Sequence, residues 1–525
     1  MRGRWKNEDA DAEMACDPEP GSKTTARAAL RDTDPENGSG RSIRPPRIMA
    51  FTSWSFAVFL PLVFVLHYAG RSLGWQLAIL IVASFVFYGW EHPWLVLLLA
   101  ASTTVNAEAA RRLLHPGSSR ATRRRALVLA LAANLGALAF FKYAKLLGSL
   151  ILPASLWNHW GVSIREIPLP VGISFYTFQG ISLVVDAWRA GPAGIPGLPL
   201  PSTPRESVWF QARVWFFKAF FPQLIAGPIV KAGEFLHQIS PKRFADVDWD
   251  GASRHLIAGF FLKLVVADNL REATASLASP LFFVLPKLNL IALLYGFSFR
   301  IYADFCGYSL IAMGLAKLFG YELPINFNLP YLSQSITEFW RRWHISLSSW
   351  LREYLYVPLG GNRRGTTRTY LNLFVVMFLG GLWHGVAWSY AVWGIAHGVL
   401  LALERFFARN QREAAPTATW TLGRVLRTLL VFNGVSLLWL LFQLTDFRDV
   451  VAYIDCLIHN PWGAQPQALY VIGLFSLPVM IQHWRGANPG NLRLPARLEA
   501  PFFGFLLFLI LVNSGTPGDF IYFQF

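Results

Sequence analysis

Apolar blocks recur along this chain from Phe51 onward, separated by short polar or basic stretches. The clearest run over 51–69, 75–91, 93–109, 126–148, 208–230, 254–270, 280–318, 370–403, 425–444, 468–483 and 501–514. A straight membrane-crossing helix needs about 20 residues, so 280–318 predicts two helices. Several blocks are broken by Gly and Pro, as in LPLPVGISFYTFQGISLVVDAW (167–188) and FFPQLIAGPIVK (220–231). Irregular backbone at membrane depth is tolerated only where protein or a cavity covers it. The pattern predicts an all-α, polytopic transmembrane bundle of about 11–13 segments, some broken or re-entrant, around an internal tunnel.

Composition sharpens this picture. The 525 residues are 54% hydrophobic and 15% charged, against about 25% charged in soluble chains. The net charge of +16 fits Lys and Arg gathered in cytoplasmic loops, and no stacking motif or basic stripe points to nucleic acid. The stretch 110–126 holds six arginines and no acid, which marks it as cytoplasmic. The stretches 340–368 and 405–427 are also Arg-rich. If both are cytoplasmic, 370–403 enters and leaves from one side, with Gly380-Gly381 as the turn; one long kinked helix is the alternative. Residues 1–48 carry nine basic and nine acidic residues and no apolar period. They read as a disordered polar extension before a single membrane domain, 49–525, with Met49 expected as the initiator. Cys16, Cys306 and Cys456 lack the spacing of a disulfide framework or a zinc site, and no metal is expected.

Three segments could carry chemistry. In SITEFWRRWHISLSSWLREYLYVPLGGNRRG (335–365), Ser335 and Glu338 form a capping box. Trp340, Trp343, Leu347, Trp350 and Tyr354 then share one arc of a helix that Pro358 and Gly360-Gly361 end. This predicts one amphipathic helix at the cytoplasmic interface, tryptophans toward lipid or bundle, with His344 at the edge of the apolar arc. In FLGGLWHGVAWSY (378–390), His384 lies between tryptophans. A histidine satisfied by a neighbouring helix is one reading. The other is functional: burial favours neutral imidazole, a general base that can take a proton from an attacking hydroxyl. His397, thirteen residues on, falls about 220° around an unbroken helix and is read as structural. In FRIYADFCGYS (299–309), Asp304 needs a partner at membrane depth, and Arg300 or Arg341 is expected to supply it. Gln223, in a predicted helix break, is a possible tunnel-lining group.

These residues are similar to a known family. PVGISFYTFQGIS (170–182), FFPQLIAGPIVKAGEFL (220–236), residues 301–363 and NLFVVMFLGGLWHG (372–385) resemble the membrane-bound O-acyltransferases, in particular the alginate O-acetyltransferase-like bacterial branch. The terminal FIYFQF (520–525) fits as well. The usual small polar residue and final acid of the DFSGYSD-like stretch are here Cys306 and Leu310.

The resemblance implies that His384 matches the family's catalytic histidine and His344 its second motif position. Trp383, Gln223, Asp304 and Arg341 are candidate substrate-binding residues. It implies a multi-pass bacterial inner-membrane enzyme that takes acetyl from a cytoplasmic donor, acetyl-coenzyme A, with no bound cofactor. The acceptor would be an exopolysaccharide such as alginate, reached directly or through a periplasmic partner protein. D-alanyl transfer to teichoic acid and a non-enzymatic export component are the alternatives.

Overall fold

The computed structural model describes residues 49–90, 92–151, 169–408, 421–487, 495–516, 518, 520 and 521. The polar head 1–48, with the expectations attached to it, and residues 522–525 of the terminal motif lie outside the described residues. Helices account for the architecture, and among the described residues there is no strand.

The helices follow the apolar blocks, and polar caps set several of their starts. The hydroxyls of Ser53, Ser72 and Thr203 accept the first free amides of α1 (Trp54–Ala69), α2 (Leu73–Tyr88) and α6 (Pro204–Ala219). Between them run α3 (Trp94–Leu114), α4 (Arg120–Ile151) and α5 (Ile173–Ala190). Then come α7 (Trp249–Phe260), continued by a π-turn at Phe261–Ala267, and α8 (Lys287–Leu318). Apart from helical pieces of four to six residues, α9 (Ile336–Arg342), α10 (Ile345–Leu351), α11 (Thr366–His384), α12 (Trp388–Ala408), α13 (Leu422–Leu438), α14 (Phe447–His459), α15 (Pro466–Ala487) and α16 (Ala496–Val512) follow. Among the described residues, three helices are long and apolar enough to cross a membrane, Arg120–Tyr143 within α4, α8 and the stretch Leu422–Gln443; α1 and α2 are shorter apolar helices. α14 lies outside the apolar blocks. Val450, Tyr453 and Cys456, three residues apart, form its one buried stripe.

Large apolar side chains also cover the outside. Val58, Leu62 and Val65 on α1, Leu426 and Leu430 on α13, and Phe505, Phe508 and Leu511 on α16 are all exposed. Water would not tolerate such contiguous patches, whereas lipid solvates them. This is a helical membrane bundle.

Its interior departs from the sequence reading in three places. The 280–318 block holds one helix and not two. A 3₁₀ turn at Leu281–Val284 precedes α8, whose 32 residues span about 48 Å at 1.5 Å per residue. Pro280 and Pro286 sit in front of α8, so no breaker interrupts it. It is buried along nearly its whole length.

The predicted amphipathic helix over 335–365 is broken. Its start is as expected: Ser335 Oγ accepts from the Glu338 amide at 3.0 Å, and the Glu338 carboxylate reaches back to the Gln334 amide at 2.8 Å. The chain then leaves the helix at Trp343 and His344 before α10 begins. Trp343 and Trp350 are buried, so this face meets the bundle.

The 370–403 block is a helical hairpin, but its turn lies at 385–387 rather than at Gly380-Gly381. The second glycine has a different task. A Cβ on Gly381 would lie 2.2 Å from the Tyr390 carbonyl oxygen, and its Cα faces that of Gly394. The two arms touch backbone to backbone, as small residues permit in lipid. A Cβ on Gly380 would meet only Leu351 Cδ1, at 3.4 Å. Gly381→Ala should therefore destabilise the detergent-solubilised protein by about 1–3 kcal/mol through overpacking, read as a lowered thermal midpoint. Gly380→Ala should leave the midpoint nearly unchanged.

Candidate active site

His384 is the last residue of α11, and Gly385, in extended backbone, ends the helix there. The imidazole is 6% exposed. Trp383 lies 4.9 Å away, Trp393 stands edge-on at 5.2 Å, and Phe442 is at 5.1 Å, between ring centroids. The Trp383 indole is held in turn by Phe178 of α5 at 5.4 Å, which stacks on Trp350 of α10 at 3.9 Å. The Trp350 indole N–H donates to the Phe178 carbonyl at 3.0 Å.

His344 approaches the same indole, 6.1 Å from the Trp383 ring. It is fully buried and also packs edge-on against Phe305 of α8 at 4.6 Å. Its backbone is left-handed, with φ 43° and ψ 56°. A non-glycine residue held there stores about 1–3 kcal/mol of strain, and the surrounding structure must enforce it. The flanking bonds do so. The Ile345 amide donates to the Asn326 carbonyl at 2.9 Å, and the Asn328 amide to the Arg342 carbonyl at 3.0 Å. Ser346 Oγ donates to Asn326 Oδ1 at 2.6 Å and accepts from the Ile229 amide at 2.9 Å. The broken segment 220–231 thereby buttresses the turn that carries His344.

The structure brings His344, Trp383 and His384 together. It treats the other candidates differently. His397 does not face away from His384, because the helix on which that angle was counted is interrupted at 385–387. Trp393 stands between the two, 5.2 Å from His384 and 4.8 Å from His397. Asp304 finds its partner in neither Arg300 nor Arg341. Lys263, from the π-turn after α7, holds Asp304 at 2.9 Å and Asp268 at 2.8 Å. The second carboxylate oxygen of Asp304 accepts the Ile521 amide at 2.7 Å, which seats Phe520 on Tyr308 at 4.5 Å. Asp304 therefore anchors the C-terminal segment. Arg341 is exposed on α9. Gln223 is buried and donates to the Phe217 carbonyl at 2.6 Å. Its own carbonyl oxygen has no partner among the described residues. Among those residues, no three His, Cys, Asp or Glu side chains lie close enough together to hold a metal ion.

Three contributors were missed by sequence reasoning. Lys142 of α4, 7% exposed, donates to the Trp383 carbonyl, and Tyr143 donates to that of Leu382. The signal was a charged residue inside the apolar run 126–148. Glu404 of α12 accepts the amides of Ile336 and Thr337 at 2.6 and 3.2 Å, tying the start of α9 to the hairpin.

The model of the MBOAT, membrane-bound O-acyltransferase family, matches residues 214–443. A probable alginate O-acetylase of Pseudomonas aeruginosa is 38% identical over 405 residues, covering 76% of this chain and 73% of the relative. The chain belongs to the membrane-bound O-acyltransferase family. A peptidoglycan O-acetyltransferase of Helicobacter pylori is 33% identical over 396 residues, 72% of this chain and 73% of that one. A teichoic acid D-alanyltransferase of Bacillus subtilis is 28% identical over 293 residues, 53% of this chain and 69% of that one. This membrane-bound O-acyltransferase is thus an enzyme rather than a passive export component, and the matched segment contains both histidines.

Asp304 should behave as a structural residue of the enzyme. Asp304→Ala removes one carboxylate of a buried ion cluster and should destabilise the protein by about 3–5 kcal/mol. The fraction that remains folded should turn over donor within about threefold of wild type. Thermal unfolding and turnover per folded molecule separate the two effects.

Proposed function

We propose that this chain is a multi-pass O-acetyltransferase of the bacterial inner membrane, moving acetyl from cytoplasmic acetyl-coenzyme A toward an exopolysaccharide. The observation that carries the reading is the pair of buried imidazoles against one indole, one of them held in a left-handed turn. The relatives of known name support the acetyl cargo: those matching most of the chain are O-acetylating enzymes.

His384 is the general base. Its imidazole takes the proton of the acceptor hydroxyl as the oxygen attacks the thioester carbonyl, a step worth about 10²–10⁴-fold. His344, against the same indole, orients the donor or assists the proton transfer. Donor and acceptor approach through a tunnel that meets at Trp383, the donor from the cytoplasmic side. The acceptor is a polysaccharide hydroxyl or that of a periplasmic partner protein. D-alanyl transfer is a second reading, favoured by the teichoic acid D-alanyltransferase that matches about half of the chain.

The test is acetyl release or transfer by purified, detergent-solubilised protein given labelled acetyl-coenzyme A, with water as default acceptor. His384→Ala should lower turnover at least about 100-fold while folding normally, and His344→Ala should lower it less. Undiminished turnover in folded His384→Ala would remove that imidazole from the chemistry. Turnover with a D-alanyl thioester but not with acetyl-coenzyme A would favour the second reading.

A further inference from the structure

Acyl transfer needs more than a base. When the acceptor oxygen bonds to the acyl carbon, the carbonyl pair moves onto its oxygen, and that negative charge must be met by a preorganised positive group. Around His384 the walls are aromatic: Trp383, Trp393 and Phe442. Among the described residues, one lysine lies against the first of them. Lys142 places its ammonium 5.8 Å from the centre of the Trp383 ring while donating to the Trp383 carbonyl, one residue before His384.

The surroundings of Lys142 differ from those of two other buried lysines, Lys263 and Lys231, and share with Lys218 the lack of a carboxylate among the described residues. Lys263 is held by Asp268 and Asp304, and Lys231 by Glu234 and Glu353. These are paired charges of ordinary structural kind. Lys218 rests on the Ser102 hydroxyl and over the Tyr176 ring. Lys142 has no carboxylate partner among the described residues. Its counter-charge is the C-terminal end of α11, where unpaired carbonyls gather partial negative charge. Among the described residues the Trp383 carbonyl is the one hydrogen-bond acceptor of Lys142, which leaves two of its three N–H donors for another acceptor. A helix cap alone would not require a lysine, because the neighbouring Tyr143 hydroxyl caps Leu382 without any charge.

We propose that the Lys142 ammonium is the electrophilic group of the acyl-transfer site, stabilising the oxyanion that forms beside His384. The proposal rests on the acyltransfer reading of the histidine site. In the step, the acceptor oxygen forms its bond to the acyl carbon as its proton passes to the His384 imidazole. The carbonyl pair moves to the oxygen facing Lys142. Its return re-forms the double bond and breaks the carbon–sulfur bond, and the departing thiolate takes the proton from the imidazolium. Thioester and alcohol become ester and thiol, and Lys142 ends as it began.

The experiment measures kcat and KM for acetyl-coenzyme A with the full-length purified chain, using Lys142→Gln, Lys142→Arg and Tyr143→Phe beside His384→Ala. Glutamine keeps a donor for the Trp383 carbonyl and removes the charge. Its kcat should fall about 100-fold, as for loss of one oxyanion donor, with KM little changed. Arginine should restore part of the loss, and Tyr143→Phe, which loses only a cap, should stay within about fivefold because a neutral hydrogen bond is worth less than a charged one. A loss under about tenfold in Lys142→Gln, a loss confined to KM, or an equal loss in Tyr143→Phe would overturn the proposal. Should the glutamine variant not fold, Lys142→Met, which needs no partner, is judged by the same thresholds. A dead His384→Ala with a normal Lys142→Gln sinks only the role of Lys142. An active His384→Ala sinks the reading of the site and this proposal with it.

Discussion

A helix that ends inside a membrane leaves carbonyls that no water can reach, and each unsatisfied group costs several kcal/mol. α11 faces the same constraint, because it ends in the buried interior, at His384. The chain resolves it by running α4 past that end, so that Lys142 and Tyr143 donate to consecutive carbonyls. The same constraint governs the other interruptions. The amide of Phe221 donates to Ser84 Oγ, that of Ile229 to Ser346 Oγ, and that of Ile521 to Asp304. Each break in a helix therefore obliges a polar side chain elsewhere in the bundle. Those obligatory bonds also fix the position of the histidines.

Much of this was legible in the sequence where the signal was local. Apolar block length gave most helices their approximate bounds. Ser335 and Glu338 announced the start of α9, and Pro222, Gly227 and Pro228 announced the irregular stretch that follows α6. The basic stretches on both sides of the 370–403 block left a hairpin and one kinked helix as alternatives, of which the structure has the hairpin. The resemblance to a family then singled out the two histidines that the fold brings to one indole.

What stayed hidden depended on contacts distant in sequence. No glycine or proline marks the break at His344. It is imposed by Asn326 and Asn328, whose backbone groups capture those of Ile345 and Arg342. A face counted at 100° per residue has meaning only within one unbroken helix, so the same arithmetic misplaced His397 and the edge position of His344. Asp304 was assigned to nearby arginines because the sequence could not show that the π-turn after α7 presents Lys263 to it. Lys142 was passed over because one charge in a long apolar run looks like noise until its partner is found to be the end of another helix.

The two histidines are held by opposite means, and this bears on their roles. His384 is the terminus of a long helix, so its backbone is ordinary and its placement follows from the cap that α4 supplies. His344 is held in a left-handed conformation that a histidine adopts only under constraint, and it is enforced by a network reaching the 220–231 segment, Asn326 and α8. A helix continuing through position 344 would have satisfied more backbone bonds locally and stored no strain. It would also have swung the imidazole out of line with Trp383, because α9 and α10 would then share one axis. The strain at His344 is thus the cost of aiming a second imidazole at the indole that His384 already touches. It argues for a role near the reacting groups rather than for packing alone, since packing could have been met by an unstrained helix.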